Sequence, residues 1–149
     1  MIPETVAINP IDFIPGSTFF RWKEALYLPR WGVLAMPTKA QFEGIIKLAT
    51  RLELARGRVA APWTVTSWLR PKMYNIWPHP YGVKGAAASA HMDGLAIDFQ
   101  VFGMKADEVR ETLKPNLELY GLRMEDLPGS SWVHLDCREP VLGNRFFKP

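Results

Sequence analysis

Ser89-Ala90-His91-Met92-Asp93-Gly94-Leu95-Ala96-Ile97-Asp98 holds one of the three histidines of this 149-residue chain, and its reading decides the fold. Gly94 permits a sharp turn directly after His91, because glycine enters left-handed backbone without a steric cost. Beyond the turn the residues alternate as a strand does. Leu95, Ile97 and Phe99 face one way, and Ala96, Asp98 and Gln100 the other. A carboxylate in the middle of an otherwise apolar strand is costly to bury without a partner or a metal. A second segment, Ser131-Trp132-Val133-His134-Leu135-Asp136, alternates likewise, with Val133, Leu135 and Cys137 on one face and Trp132, His134 and Asp136 on the other. If the two strands are neighbours, His91, Asp98 and His134 converge. Two imidazoles and a carboxylate with an open fourth position make a catalytic zinc site rather than a closed structural one. A strand histidine is more often a hydrogen-bonded structural residue, and Asp98 can equally pair with an arginine. Taken singly, neither segment decides.

Upstream, Thr64-Val65-Thr66-Ser67-Trp68-Leu69 is β-branched and aromatic, and predicts a strand ending at Arg70-Pro71. Residues 71–90 predict a long loop broken by Pro71, Pro78, Pro80, Gly82 and Gly85, and long loops inside compact domains are usually functional. Thr38 and Gln41 have capping-box spacing, and Phe42, Ile45, Ile46, Ala49 and Leu52 recur at helical intervals up to a stop at Gly57. This helix is expected to be a core element with no chemistry on it. A shorter helix is expected from Phe19 to Leu28, closed by Pro29. Downstream, Leu95 to Phe102 forms the strand after His91, and Lys105 to Lys114 predicts a helix. Leu119 to Met124 and Ser131 to Cys137 predict two more strands around a Pro128-Gly129 turn. Helices early and strands late indicate the α+β class. No repeat or linker divides the chain, so residues 1–149 are expected to form one domain, with residues 1–18 as an extended lead-in.

Composition narrows the functional classes. A hydrophobic content of 48% is that of a globular protein. Cys137 is the sole cysteine, which excludes an internal disulfide and a zinc site built from several thiolates. The alternation puts it on the face away from His134, as a buried inert thiol. No run of 18 apolar residues predicts a membrane span, and Met1-Ile2-Pro3-Glu4 lacks the basic and apolar regions of a conventional signal peptide. A formal charge of +3 suits approach to an anionic polymer such as a cell wall. Neither a nucleic-acid nor a membrane partner is expected.

Taken together, three segments resemble a known family in order and spacing: Ser67-Trp68-Leu69-Arg70, Ser89-x-His91-x-x-Gly94-x-Ala96-x-Asp98, and Trp132-Val133-His134-Leu135-Asp136. The family is that of the zinc D-alanyl-D-alanine carboxypeptidases and the related phage L-alanyl-D-glutamate endopeptidases, which share a fold with the hedgehog signalling domain. The resemblance runs from the stretch around Phe20-Arg21-Trp22 to the closing segment Asp136-Cys137-Arg138 through Phe147, which is similar to that of some phage-type members. It implies a small antiparallel sheet packed against helices, with a zinc site on the sheet held by His91, Asp98 and His134. It implies that Arg70 points its fork at the scissile carbonyl oxygen or at a substrate carboxylate. Ser89 either helps hold substrate or shapes the turn before His91. Asp136 suits a hydrogen-bond acceptor for an imidazole N–H better than a metal ligand.

Many members place the general base three residues before the last histidine, where this chain has Ser131. Others carry a glutamate further upstream, a pattern that selects Glu125, with Asp126 second. Trp132, with Tyr74, Trp77 and Tyr81, is expected to line a groove for peptide and sugar, and His79 to pack in the loop over the cleft. The function implied is Zn2+-dependent hydrolysis of an amide bond in the peptide moiety of bacterial peptidoglycan. A phage endolysin of this kind is made in the cytoplasm and acts on the wall after release or as a virion component. Ser131 keeps open the alternative of a catalytically inactive, zinc-containing structural or wall-binding virion module. D-Ala-D-Ala, L-Ala-D-Glu and cross-bridge bonds are all compatible with one arginine and one serine in the cleft, and the oligomeric state is left open.

Overall fold

The helix expected from Phe19 to Leu28 is shorter and gives way to a hairpin whose turn holds Pro29 and Gly32. The computed structural model describes residues 7–76 and 89–148. In it only Trp22–Leu26 (α1) is helical, and Tyr27–Leu28 (β1) turns back to pair antiparallel with Val33–Leu34 (β2). Proline has no N–H with which to extend a helix, and Gly32 supplies the positive φ of 63° that the turn requires. Before α1, residues 10–16 form turns rather than an extended lead-in, and they bury Ile14 completely.

Thr38 opens the longest helix, Lys39–Arg58 (α2). Its hydroxyl accepts from the Gln41 N–H at 3.2 Å, while Gln41 Oε1 accepts from the Thr38 N–H at 2.9 Å, the reciprocal cap that the spacing predicts. The helix continues past Gly57 and buries Ile45, Leu48, Ala49, Leu52 and Ala55 along one stripe. Full burial of each large aliphatic side chain contributes about 1.5–3 kcal/mol. No helix among the described residues is long and apolar enough to cross a membrane.

Trp63–Ser67 (β3) follows, and then Lys72–Ile76 (α3), a helical turn inside the segment expected to be loop. Trp77, His79 and Tyr81 lie outside the described residues. A one-turn 3-10 helix, Ala90–Asp93, ends at Gly94 with φ 74° and leads into Ala96–Val101 (β4). Ala106–Leu113 (α4) comes next. The strand predicted from Leu119 to Met124 is instead a short helix, Leu117–Tyr120 (α5), closed by Gly121 at φ 70° and followed by Arg123–Glu125 (β5). Leu117 and Tyr120 are buried three residues apart while Leu119 is 71% exposed, so the burial period here is helical. Val133–Asp136 (β6) and Phe146–Phe147 (β7) complete the chain.

The main sheet has the order β3-β4-β6-β5-β7. Its pairs are antiparallel except β5 with β7, so the expected antiparallel sheet carries one parallel edge strand. Ile97, Phe99, Met124, Val133 and Leu135 are fully buried on one face, in the same core as the α2 stripe. The other face carries polar residues in register. Asp98 is the partner of His134, and Glu125 that of Phe147. Extending the Met124–Leu135 pairing by one residue sets Glu125 beside His134. Asp98, His134, Glu125 and Phe147 thus form one row across four strands.

Helix α2 carries no chemistry but supports the end of this row. A Cβ on Gly44 would come within 2.1 Å of the Asp93 carbonyl oxygen, so only glycine lets α2 lie against the His91 turn. Gln41 Nε2 donates to the Met92 carbonyl at 3.0 Å across the same contact.

Candidate metal centre

His91 is oriented by backbone. Its Nδ1 lies 2.7 Å from the Trp68 carbonyl oxygen, which can only accept, so Nδ1 carries the proton and Nε2 keeps its lone pair. Trp68 is anchored in turn by its Nε1, which donates to the Gly94 carbonyl at 2.9 Å. The Arg70 N–H donates to the His91 carbonyl at 2.9 Å, so the end of β3 and the His91 turn brace each other. The Ser89 hydroxyl accepts the His91 N–H at 3.2 Å, which shapes the turn, and Ser89 also lines the adjoining cleft. His91 is 1% exposed, and burial holds its pKa down, keeping the ring neutral.

His134 is held from the opposite side. Its Nε2 lies 3.0 Å from Asp136 Oδ2, and its Nδ1 2.9 Å from Asp98 Oδ1. Burial alone would lower its pKa, but the hydrogen bonds to Asp136 and Asp98 push it up to about 9. Asp136 is buried and gripped by Arg123, with Nε to Oδ1 at 2.7 Å and Nη2 to Oδ2 at 3.0 Å. The Arg138 N–H donates to Oδ1 at 3.2 Å. Burial opposes the charge on Asp136, and the bonds from His134 and Arg123 outweigh it, so its pKa is lowered. Since ionised Asp136 can only accept, Nε2 of His134 carries a proton and Nδ1 is the nitrogen turned towards Asp98. Burial likewise works against the Asp98 carboxylate, yet the hydrogen bond to His134 and the neighbouring imidazoles hold it well below the usual carboxylate range.

These residues fit a metal ion. One ligand atom from each of His91, Asp98 and His134 lies within 4.8 Å of the others. His91 Nε2 is buried, has no hydrogen-bond partner among the described residues and sits 3.3 Å from Asp98 Oδ2. A lone pair facing a carboxylate oxygen with no proton between them is repulsive, and a cation relieves it. Zinc bonds of about 2.0–2.2 Å put tetrahedral neighbours about 3.3–3.6 Å apart, so the 3.3 Å separation of His91 Nε2 from Asp98 Oδ2 suits zinc. Two imidazoles and one carboxylate are a donor set that could hold zinc and would leave a fourth position open.

The centre opens into a cleft of about 480 Å³ that is also lined by Arg70, Ser89, Glu125, Trp132, Arg138 and Phe147. Glu125 Oε2 stands 3.7 Å from His134 Nδ1. Burial raises the Glu125 pKa, and His134 offsets this only in part while Asp98 and Asp136 add to it. Asp126 is not among the lining residues. Ser131 also lies outside the cleft, and its carbonyl accepts from Gln100 Nε2 at 3.1 Å. Arg70 Nε is buried without a hydrogen-bond partner among the described residues, and burial lowers the pKa of its guanidinium against the pull of Asp98. Trp132, 41% exposed, stands at the rim. Cys137 is fully buried on the core face, and burial pushes its thiol up to about 11.

Sequence reasoning misses Arg123 and Phe147. Arg123 is the direct ladder partner of Asp136 and Phe147 that of Glu125, and both become visible only when the register of β5 is known.

The model of the family described as Peptidase M15 matches residues 29–136, well over half of the chain. The matched span begins just after β1, ends with β6 and contains Arg70, His91, Asp98, Glu125 and His134. Neither a curated protein nor a solved structure gives a significant match.

Proposed function

This chain belongs to the peptidase M15 family, and we propose that it is a zinc metallopeptidase that hydrolyses an amide bond in the peptide moiety of bacterial peptidoglycan. The observation that carries this reading is a convergence. His91 Nε2 and His134 Nδ1 turn onto Asp98 inside a cleft that also holds Glu125. His91, Asp98 and His134 would hold Zn2+, which would supply the Lewis acidity to activate water near neutral pH and polarise a carbonyl.

The protein side chains do the rest. Glu125 takes the proton of the attacking water, and its raised pKa brings it closer to the operating pH of a general base. The same carboxyl then passes that proton to the departing amine, leaving a new carboxylate and a new amino group. Arg70 offers its guanidinium to the carbonyl oxygen as negative charge develops, or to a substrate carboxylate. Asp136 holds the Nε2 proton of His134 and so keeps Nδ1 free for the metal. Ser89 and Trp132 line the cleft and contact the substrate. Asp126 is the weaker candidate for the base, since the cleft does not include it.

Within the family, the reading extends to a phage-type lysis enzyme that reaches the wall after release from the cytoplasm or as part of a virion. The likeness of the segment from Asp136 to Phe147 to phage-type members supports this. Digestion of purified sacculi with the zinc-loaded protein, followed by mass spectrometry of the released muropeptides, tests the reading. New termini at D-Ala-D-Ala, L-Ala-D-Glu or the cross-bridge name the bond. Zinc-loaded protein that binds sacculi and releases nothing would establish the inactive wall-binding or virion module, the alternative that Ser131 leaves open.

A further inference from the structure

Asp136 is the most completely engaged carboxylate near the metal centre. Oδ1 accepts from Arg123 Nε at 2.7 Å and from the Arg138 N–H at 3.2 Å, while Oδ2 accepts from Arg123 Nη2 at 3.0 Å and from His134 Nε2 at 3.0 Å. Two parallel bonds from one planar guanidinium fix both the position and the rotation of the carboxylate, which a point-charge ammonium cannot do. Arg123 is itself confined. Its guanidinium carbon lies 4.2 Å from the centroid of the Phe147 ring, and the same ring meets the His134 imidazole edge-on at 6.1 Å. Strand β7 therefore closes over both ends of a chain of contacts running from Phe147 through Arg123 and Asp136 to His134.

We infer that Arg123 is a positioning residue for the metal centre. It locks the Asp136 carboxylate in the one orientation that holds the Nε2 proton of His134 and aims Nδ1 at the shared ligand position. This inference rests on the metal-centre reading above, and on the geometry of this chain rather than on the reaction. Arg123 lines the cleft but does not touch the reacting atoms in this assignment. Its contribution is the direction of a ligand lone pair, so it governs metal affinity first and turnover only through that affinity.

The test measures zinc and cobalt binding by competition with a chromophoric chelator, on the full chain, without any peptide substrate. Partners that orient a metal-bound histidine typically contribute 10- to 100-fold in metal affinity. Arg123→Met is expected to weaken zinc binding by about that factor and to alter the visible absorption of bound Co2+, while the far-ultraviolet circular dichroism is retained. Arg123→Lys is expected to fall between the two, because it restores the charge and not the fork. If Arg123→Met does not fold, Arg123→Lys and the double variant Arg123→Met/Asp136→Asn, which buries no unpaired charge, decide in its place. Zinc affinity within about twofold of the unaltered protein and an unchanged Co2+ spectrum would overturn the inference. Loss of the underlying centre is read separately: His91→Ala that still binds one zinc per chain sinks the centre itself, whatever Arg123 does.

Discussion

Asp98 and His134 are direct partners in the antiparallel ladder of β4 and β6, and their side chains meet at 2.9 Å between Oδ1 and Nδ1. One hydrogen-bonded register therefore sets two of the three candidate ligands. The third, His91, arrives from the turn before β4, with its own ring nitrogen fixed by the Trp68 carbonyl. Replacing any one of them leaves two ligands, so Asp98→Ala, His91→Ala and His134→Ala are each expected to lose stoichiometric zinc in a dialysed sample assayed by elemental analysis. One tightly held zinc in all three variants would rule out this ligand set.

Glu125 is expected to separate chemistry from metal binding. Glu125→Gln keeps the shape of the side chain and removes its basicity, so zinc content should be unchanged while turnover of muropeptides falls by about 10²–10⁴-fold, the usual contribution of a general base. Asp126→Asn should lie close to the unaltered rate. The reverse pattern would move the base to Asp126.

Gly44 predicts a stability effect transmitted to the centre. The side chain of Gly44→Ala would meet the Asp93 carbonyl oxygen, a backbone atom with no rotamer to escape into. Overpacking of this kind costs about 1–3 kcal/mol. Thermal unfolding should shift down accordingly, and zinc affinity should drop with it because the displaced turn carries His91. An unperturbed melting temperature would mean that α2 and the turn do not make this contact in solution.

A pH dependence is expected for protein stripped of metal by a chelator. The His134 pKa is about 9 in the fold against 6.5 for the free side chain, because Asp136 and Asp98 hold its proton. A raised pKa means that the folded state binds the proton more tightly than the unfolded one. That stabilisation is fully present below about pH 6.5 and is lost as pH rises through about 9. The urea midpoint of stripped protein should therefore fall between pH 7 and pH 9.5, and His134→Gln should remove this part of the fall. Parallel pH curves for the two proteins would contradict the assignment.

How far the site can be read from sequence follows the range of the interactions. The alternation around Asp98 and His134, the Gly94 turn and the Thr38–Gln41 cap are local, and each is visible within a few residues. The helix at Leu117–Tyr120 is local too, but four residues are too few for its period to stand out against an alternating reading. The Arg123–Asp136 pair, the stacking of Phe147 on Arg123 and the close approach of Gly44 to Asp93 depend on strands or helices meeting from distant parts of the chain. Strand β7, two residues long and parallel to its neighbour, has no periodic signal of its own.

The placement of Phe147 bears on when this protein becomes competent during its own synthesis. Phe147, the wall of the cleft that meets Arg123 and His134, leaves the ribosome 56 residues after His91 (147 minus 91) and 13 after His134 (147 minus 134). A nascent chain that already carries His91, Asp98 and His134 still lacks the strand that closes over them. Translation itself thus delays assembly of the centre until β7 has emerged.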